Sequence, residues 1–156
     1  MIAEVTVRAA READVPVIVS LIRALAEYEK AAPGAVSLTD DLLKEALFGS
    51  RPSVEGLIAE TGSALAGYAL FFHNFSSWRG RRGLYLEDLF VRPELRGRGI
   101  GKALMQELSR IAAARGCARI EWIVIDWNSP AIGFYKSLGA EPIDGWTLYR
   151  LKLPPA

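Results

Sequence analysis

The chain has 156 residues, long enough to bury a full core as one domain without a disulfide or metal staple. Hydrophobic residues make up 51% and charged residues 24%, which excludes a disordered chain, and a formal net charge of +1 argues against a nucleic-acid or anionic-membrane partner. The single cysteine, Cys117, leaves no internal disulfide and fits a reducing cytosol. No apolar run approaches the roughly 18 residues of a membrane span. The opening "MIAEVTVRAA" lacks the basic start and apolar stretch of a signal peptide, so the expectation is a cytoplasmic protein.

The alternation of Val5 and Val7 predicts a first strand. Val15, Ile18, Val19, Ile22, Leu25 and Ala26 recur at helical spacing, which predicts a helix from Glu12 to Lys30 with Pro16 in its first turn. Ser37 or Thr39 can cap a second helix carrying Leu42, Leu43, Ala46 and Leu47, ended by Gly49. "SVEGLIAE", "ALAGYALFFHNF" and "LYLEDLFV" then read as three strands of an antiparallel meander. Gly101 to Arg115 is a helix stopped by Gly116, and "ARIEWIVI" is the next strand. Asn128 or Ser129 caps a helix with Pro130 in its first turn and Gly139 at its end. "GWTLYRLKL" is a last strand. The strand–helix–strand stretch from Leu84 to Ile125 implies a parallel pair, so the predicted fold is a mixed, mostly antiparallel sheet with helices on both faces, in one domain over residues 1–156.

Between the third meander strand and its following helix lies "VRPELRGRGIGKAL". Glycines here let a backbone approach an anion, the helix start offers unpaired N–H groups, and Arg96, Arg98 and Lys102 add positive charge. The spacing G-x-G-x-G fits neither the G-x-x-x-x-G-K-[ST] loop nor the dinucleotide fingerprint G-x-G-x-x-G, and Ala103 stands where a magnesium-ligating hydroxyl would be needed. A tight turn with solvated arginines is the plainer alternative.

The stretch resembles the pyrophosphate loop of the GNAT superfamily of acetyl-CoA-dependent N-acetyltransferases, whose pattern Arg/Gln-x-x-Gly-x-Gly/Ala is filled by Arg96, Gly99 and Gly101. "LIRALAEYEK", "TDDLLKEALFG", "WRGRRGLYLEDLFV", "DWNSPAIGFYKSLGA" and "GWTLYRL" resemble, in order, segments of the diamine (spermidine/spermine) acetyltransferases and their thialysine-acetylating relatives. The resemblance implies the GNAT fold, whose parallel strand pair splays at the acetyl-CoA site, and a homodimer. It also implies cofactor contacts from Leu89, Phe90 and Val91, from Arg96, Gly97, Arg98, Gly99, Ile100, Gly101 and Lys102, and from Asn128, Pro130, Ala131, Tyr135 and Lys136.

Acetyl transfer to an amine needs a base, because an alkyl amine is mostly protonated near neutral pH, a donor for the developing oxyanion, and an acid for the departing thiolate. It requires neither a metal nor a covalent intermediate. A phenol such as Tyr135 stays protonated at a pH where a thiolate forms, so it can be the acid; an aromatic core residue is the alternative. Glu87 is the candidate base. Strand alternation puts it on one face with Tyr85 and Leu89, with Asp88 on the other. Adjacent carboxylates in an apolar strand are costly unless they bind a ligand or a partner such as arginine. The resemblance assigns Tyr135 the acid role, Glu87 the water-activating role, and substrate contacts to Tyr28, Glu29, Glu87, Asp88, Glu121, Trp122, Ile123 and Asp144. The polyamine enzymes carry Asp-Pro-Trp where this chain has Ser76, Ser77 and Trp78, a departure that favours a shorter or lysine-like amine. His73, the only histidine, reads as a packed or rim residue.

The expected activity is therefore acetyl-CoA-dependent acetylation of a small primary amine by direct attack in a ternary complex. A protein or peptide amine, an aminoglycoside, and a non-catalytic acyl-CoA-binding regulatory role are the rivals. A nucleic-acid role for "WRGRRG" and "RGRG" lacks a groove-reading motif.

Overall fold

The computed structural model describes residues 4–154; the ends of the predicted single domain, and the first three residues of the stretch read for a signal peptide, lie outside them. The chain divides into two units, Met1–Ile123 and Val124–Ala156.

The first unit holds a five-stranded sheet of order β1 (Val5–Ala9), β2 (Glu55–Thr61), β3 (Ala64–Ser76), β4 (Arg81–Val91) and β5 (Ile120–Glu121). β1 to β4 pair antiparallel, and β4 and β5 pair parallel through the crossover helix α3 (Ile100–Ala114). The mixed sheet with a parallel pair is as the sequence predicts.

The first predicted helix splits into a 3-10 turn, Glu12–Asp14, and α1, Val15–Tyr28. The cause is Asp14, whose carboxylate accepts the Arg11 N–H at 2.7 Å and two N–H groups of Arg8 at 2.8 and 2.9 Å. Thr39, not Ser37, caps α2 (Asp40–Phe48) by accepting the Leu42 N–H at 3.2 Å.

Apolar residues of α1 (Val15, Ile18, Val19, Leu21) and α2 (Leu43, Leu47) bury against Ile58, Tyr68, Leu70 and Phe90 on one face of the sheet. Each such side chain contributes about 1.5–3 kcal/mol. On the opposite face, alternation exposes Leu57, Ala69, Phe71, Leu84 and Leu86 to the buried stripe Ile100, Leu104 and Leu108 of α3. Arg115, just past α3, lies over the Phe71 ring at 5.9 Å and reaches Glu55 on β2 at 2.6 Å. It also donates to His73 Nε2 at 2.9 Å. A guanidinium only donates, so His73 carries its proton on Nδ1 and gives it to the Gly83 carbonyl at 3.1 Å. His73 is thus packed into the joint between α3 and the sheet.

Two irregularities bend the sheet. Between β2 and β3 the register skips Ala66, and beside it Gly67 has no room for a side chain, since a Cβ there would stand 2.5 Å from the Phe90 carbonyl oxygen. Between β3 and β4 the partners run Leu70↔Asp88 and then Phe71↔Leu86, leaving Glu87 as a bulge.

The second unit contains α4, Ser129–Ser137. The predicted last strand over 145–153 is not formed: no strand is assigned to residues 141–154. Strands exist as ladders, and the ladder beyond β4 stops after Leu84↔Ile120 and Tyr85↔Glu121. That also shortens the predicted "ARIEWIVI" strand to two residues. The alternating Tyr149, Leu151 and Leu153 stay exposed in this chain.

Candidate active site

The bulge resets the alternation of β4, which corrects the expected facing of the two carboxylates. Asp88 pairs with Leu70 and Tyr85 with Phe72, two residues apart on β3, so Asp88 and Tyr85 share the face that α1 and α2 cover. Leu89 pairs with Ala69 on the other face. Glu87 is exposed; Asp88 is half-buried, with Oδ2 accepting the Tyr68 hydroxyl proton at 3.1 Å.

This environment is unusual for a carboxyl group. Asp88 is pushed up to about 6, chiefly by burial and further by the charges of Glu87 and Glu29, against the Tyr68 hydrogen bond, which pulls it down. Glu29, at the end of α1, is itself raised by burial. Three of the predicted substrate contacts are therefore electrostatically coupled. Tyr85 is raised by burial, then by the charges of Glu87 and Glu121. Glu121 forms an ion pair with Arg119 at 3.0 Å. Trp122 is half-buried and Ile123 exposed.

The C-terminal end of β4 turns into the glycine loop. The Arg92 N–H donates to Ala66 on β3 at 2.9 Å, so alternation sends the N–H groups of Leu89 and Val91 to the opposite edge of β4, beyond the end of the β5 ladder. The loop itself keeps Gly97 and Gly99 at φ of 78° and 81°, a region that excludes most side chains. Gly99 is the residue before α3, no side chain caps the helix start, and Ile100 is buried beneath it. Arg96, Arg98 and Lys102 are exposed. No atom lies within 4 Å of a Cβ built at Gly97 or Gly99. Open space, bare N–H groups and three cations together fit a pyrophosphate.

Arg96 also touches the neighbouring elements. Its guanidinium lies over the rings of Tyr28 at 5.0 Å and Phe90 at 5.4 Å, and its Nε donates to the Val91 carbonyl at 3.1 Å. Tyr28 and Phe90 line a cavity of about 350 Å³ between α1 and the end of β4. The structure thus joins Tyr28 on α1 to the loop, and Glu29 electrostatically to the β4 carboxylates.

In the second unit, buried Asn128 caps α4 by accepting the Ala131 N–H at 3.4 Å, with Pro130 in the first turn. Tyr135 is half-buried on the same helix, its ring centroid 5.6 Å from that of Phe134, and Lys136 is exposed in the last turn. Asp144 is exposed, in a stretch without regular structure.

Sequence reasoning missed Tyr68. The available signal was a tyrosine inside the apolar strand run "AGYALFF", where a buried hydroxyl requires a partner. Ser76, which stands where the polyamine enzymes carry Asp, is buried at the end of β3, and its Oγ accepts the Arg79 N–H at 3.2 Å.

A bulged fourth strand thus runs into a glycine turn whose open space and charge suit an anion. The profile described as "Acetyltransferase (GNAT) family" matches residues 21–140, and the chain belongs to that family. It is similar to the thialysine N-epsilon-acetyltransferase of Bos taurus, 37% identical over 95% of this chain and 92% of that one. It is also similar to the spermidine/spermine N(1)-acetyltransferase-like protein 1 of Homo sapiens, 34% identical over 92% of this chain and 22% of that protein. Among solved structures, an integron cassette protein from the mobile metagenome of V. cholerae superposes with a TM-score of 0.77 at 28% identity, covering 95% of this chain and 92% of that one. The protein is an N-acetyltransferase, and its family uses acetyl-CoA.

Proposed function

We propose that this protein transfers the acetyl group of acetyl-CoA to a primary amine of a small cationic substrate, a thialysine- or lysine-like amine or a short diamine, by direct attack in a ternary complex. The observation that carries the reading is the β4 strand. Its bulge sets Glu87 and Asp88, together with Glu29, as a site for a cation, and its end turns at once into the loop for the anionic cofactor. The resemblance to thialysine and spermidine/spermine enzymes supports the amine class.

In this reading acetyl-CoA supplies an activated acetyl thioester. Arg96, Gly97, Arg98, Gly99, Ile100, Gly101 and Lys102 hold its pyrophosphate, and Leu89 offers its N–H to the thioester carbonyl from the edge of β4 opposite β3. Glu87, exposed on the bulge, takes the amine's proton through water. Tyr28, Glu29, Asp88, Glu121, Trp122, Ile123 and Asp144 receive the substrate. Asn128, Pro130, Ala131 and Lys136 add cofactor contacts, and Tyr135 gives its proton to the departing thiolate. The protein acts as a cytoplasmic homodimer, without metal and without nucleic-acid or membrane partners.

Initial velocities measured over a grid of acetyl-CoA and thialysine concentrations test this. Intersecting lines, with no CoA released before the amine is added, are expected. Parallel lines, or CoA release that ignores the amine, contradict direct attack.

A further inference from the structure

Tyr68 has no place in the reading above, yet its hydroxyl reaches into the site. The side chain is fully buried between Leu70 and Phe90 on the sheet face under α1 and α2. Its ring lies 6.4 Å from that of Phe90, and its hydroxyl ends 3.1 Å from Asp88 Oδ2.

We propose that Tyr68 is a positioning residue of the amine site: its buried hydroxyl holds one oxygen of Asp88 and leaves the other for the substrate's ammonium. This rests on the reading of β4 as an amine-acetylating site. The titratable groups that act on Asp88 are Tyr68 from β3, Glu87 from its own strand and Glu29 from the end of α1. Of these, Tyr68 alone favours the charged carboxylate; burial and the two glutamates oppose it. Burial and the Asp88 charge push the phenol far above its ordinary range, so it keeps its proton and can donate to the ionised carboxylate at every working pH. A bulged strand lodges a carboxylate where it is expensive to ionise, and the tyrosine offsets that cost at a fixed geometry. The incoming cation then completes the set by neutralising the charge that Tyr68 has oriented.

Tyr68→Phe keeps the ring and its packing and removes only the donor. The carboxyl resonance of Asp88, followed by NMR through a pH titration, is expected to move its midpoint up by about one unit. The acidic limb of kcat/KM for thialysine should rise with it. At pH 7 the KM for thialysine should increase about twofold and at pH 5 about 5–10-fold, while that for acetyl-CoA stays put, and the loss should narrow near pH 9, where Asp88 is ionised in both proteins. A purely structural role would lower kcat evenly across pH and leave the limb where it was. Asp88→Asn, of the same shape but uncharged, should remove the limb. If the Asp88 midpoint is the same in Tyr68→Phe and the parent protein, the proposal is overturned, whatever the activity. If the midpoint moves but neither thialysine nor a diamine perturbs it in the parent protein, the pair stands and the amine-site reading fails instead.

Discussion

Replacing Gly99 by alanine isolates the glycine loop from the rest of the site. Gly99 sits at φ of 81° immediately before α3, and a Cβ there meets no atom within 4 Å. No clash with the protein itself can contribute, so the protein's own share of the effect is the backbone cost of a left-handed alanine, about 1–2 kcal/mol. If the loop relaxes when free and must return to its present shape to cradle the pyrophosphate, that cost falls on cofactor binding. It corresponds to roughly a 5–30-fold weaker affinity for acetyl-CoA. Calorimetric titration with CoA reads it directly, and the KM for the amine should not change. Gly80→Ala is the control. Gly80 also has a positive φ, 65°, with nothing within 4 Å of its Cβ, but it lies in the turn between β3 and β4, at the far end of β4 from the loop. It carries the same backbone cost and should leave CoA affinity unchanged. Equal weakening in the two variants, or none in Gly99→Ala, would refute the assignment of this loop to the cofactor.

Tyr135→Phe should lower kcat by roughly 10²–10⁴ with CoA affinity preserved, because a proton donor is lost and no contact with the nucleotide is; an unchanged kcat in a stopped-flow thiol assay removes Tyr135 from the mechanism. Glu87→Gln should depress kcat by a similar factor and keep the fold, since the residue is an exposed bulge without a ladder partner; unaltered melting with unaltered turnover would shift the base to another group. Arg8→Met tests the joint between β1, β2 and the turn before α1. Arg8 binds Asp14 at 2.8 Å and Glu60 at 2.6 Å, and its hydrogen bond holds Asp14 below the usual carboxylate range against the pull of burial. A depressed carboxylate stabilises the fold above its ordinary pKa, and that stability is lost as pH falls through the folded value. The variant should therefore be about 2 kcal/mol less stable at pH 7 in urea denaturation, with the gap closing below pH 4. A gap that persists in acid would assign the loss to packing.

The helices were legible because their apolar spacing and caps are local: Thr39 and Asn128 are read from the residues that follow them. The meander and the crossover were legible for the same reason. The bulge was not, because a register is a property of two strands; nothing within "YLEDLF" says that Glu87 will face no partner. One unpaired residue then moved Asp88 to the face opposite the one alternation predicts. Tyr68 escaped because its partner lies 20 residues away in sequence, across that same irregular ladder. The last strand shows the converse. Its alternating pattern is plain in the sequence, but a pattern becomes a strand only where a neighbouring strand accepts its hydrogen bonds. The loop's glycines and charge suggest an anion in the sequence, and the structure adds that Arg96 also lies over Tyr28 and Phe90.

The central claim is acetyl transfer from acetyl-CoA to a small cationic amine, and its most direct test is CoA release with a panel of thialysine, lysine, short diamines, spermidine, an aminoglycoside and short peptides, with each product weighed by mass spectrometry. The account predicts that thialysine, a lysine-like amine or a short diamine gains one acetyl group with the highest kcat/KM, while peptides and the aminoglycoside lag far behind. A peptide or aminoglycoside at the head of the series, or no CoA release with any amine, would contradict it.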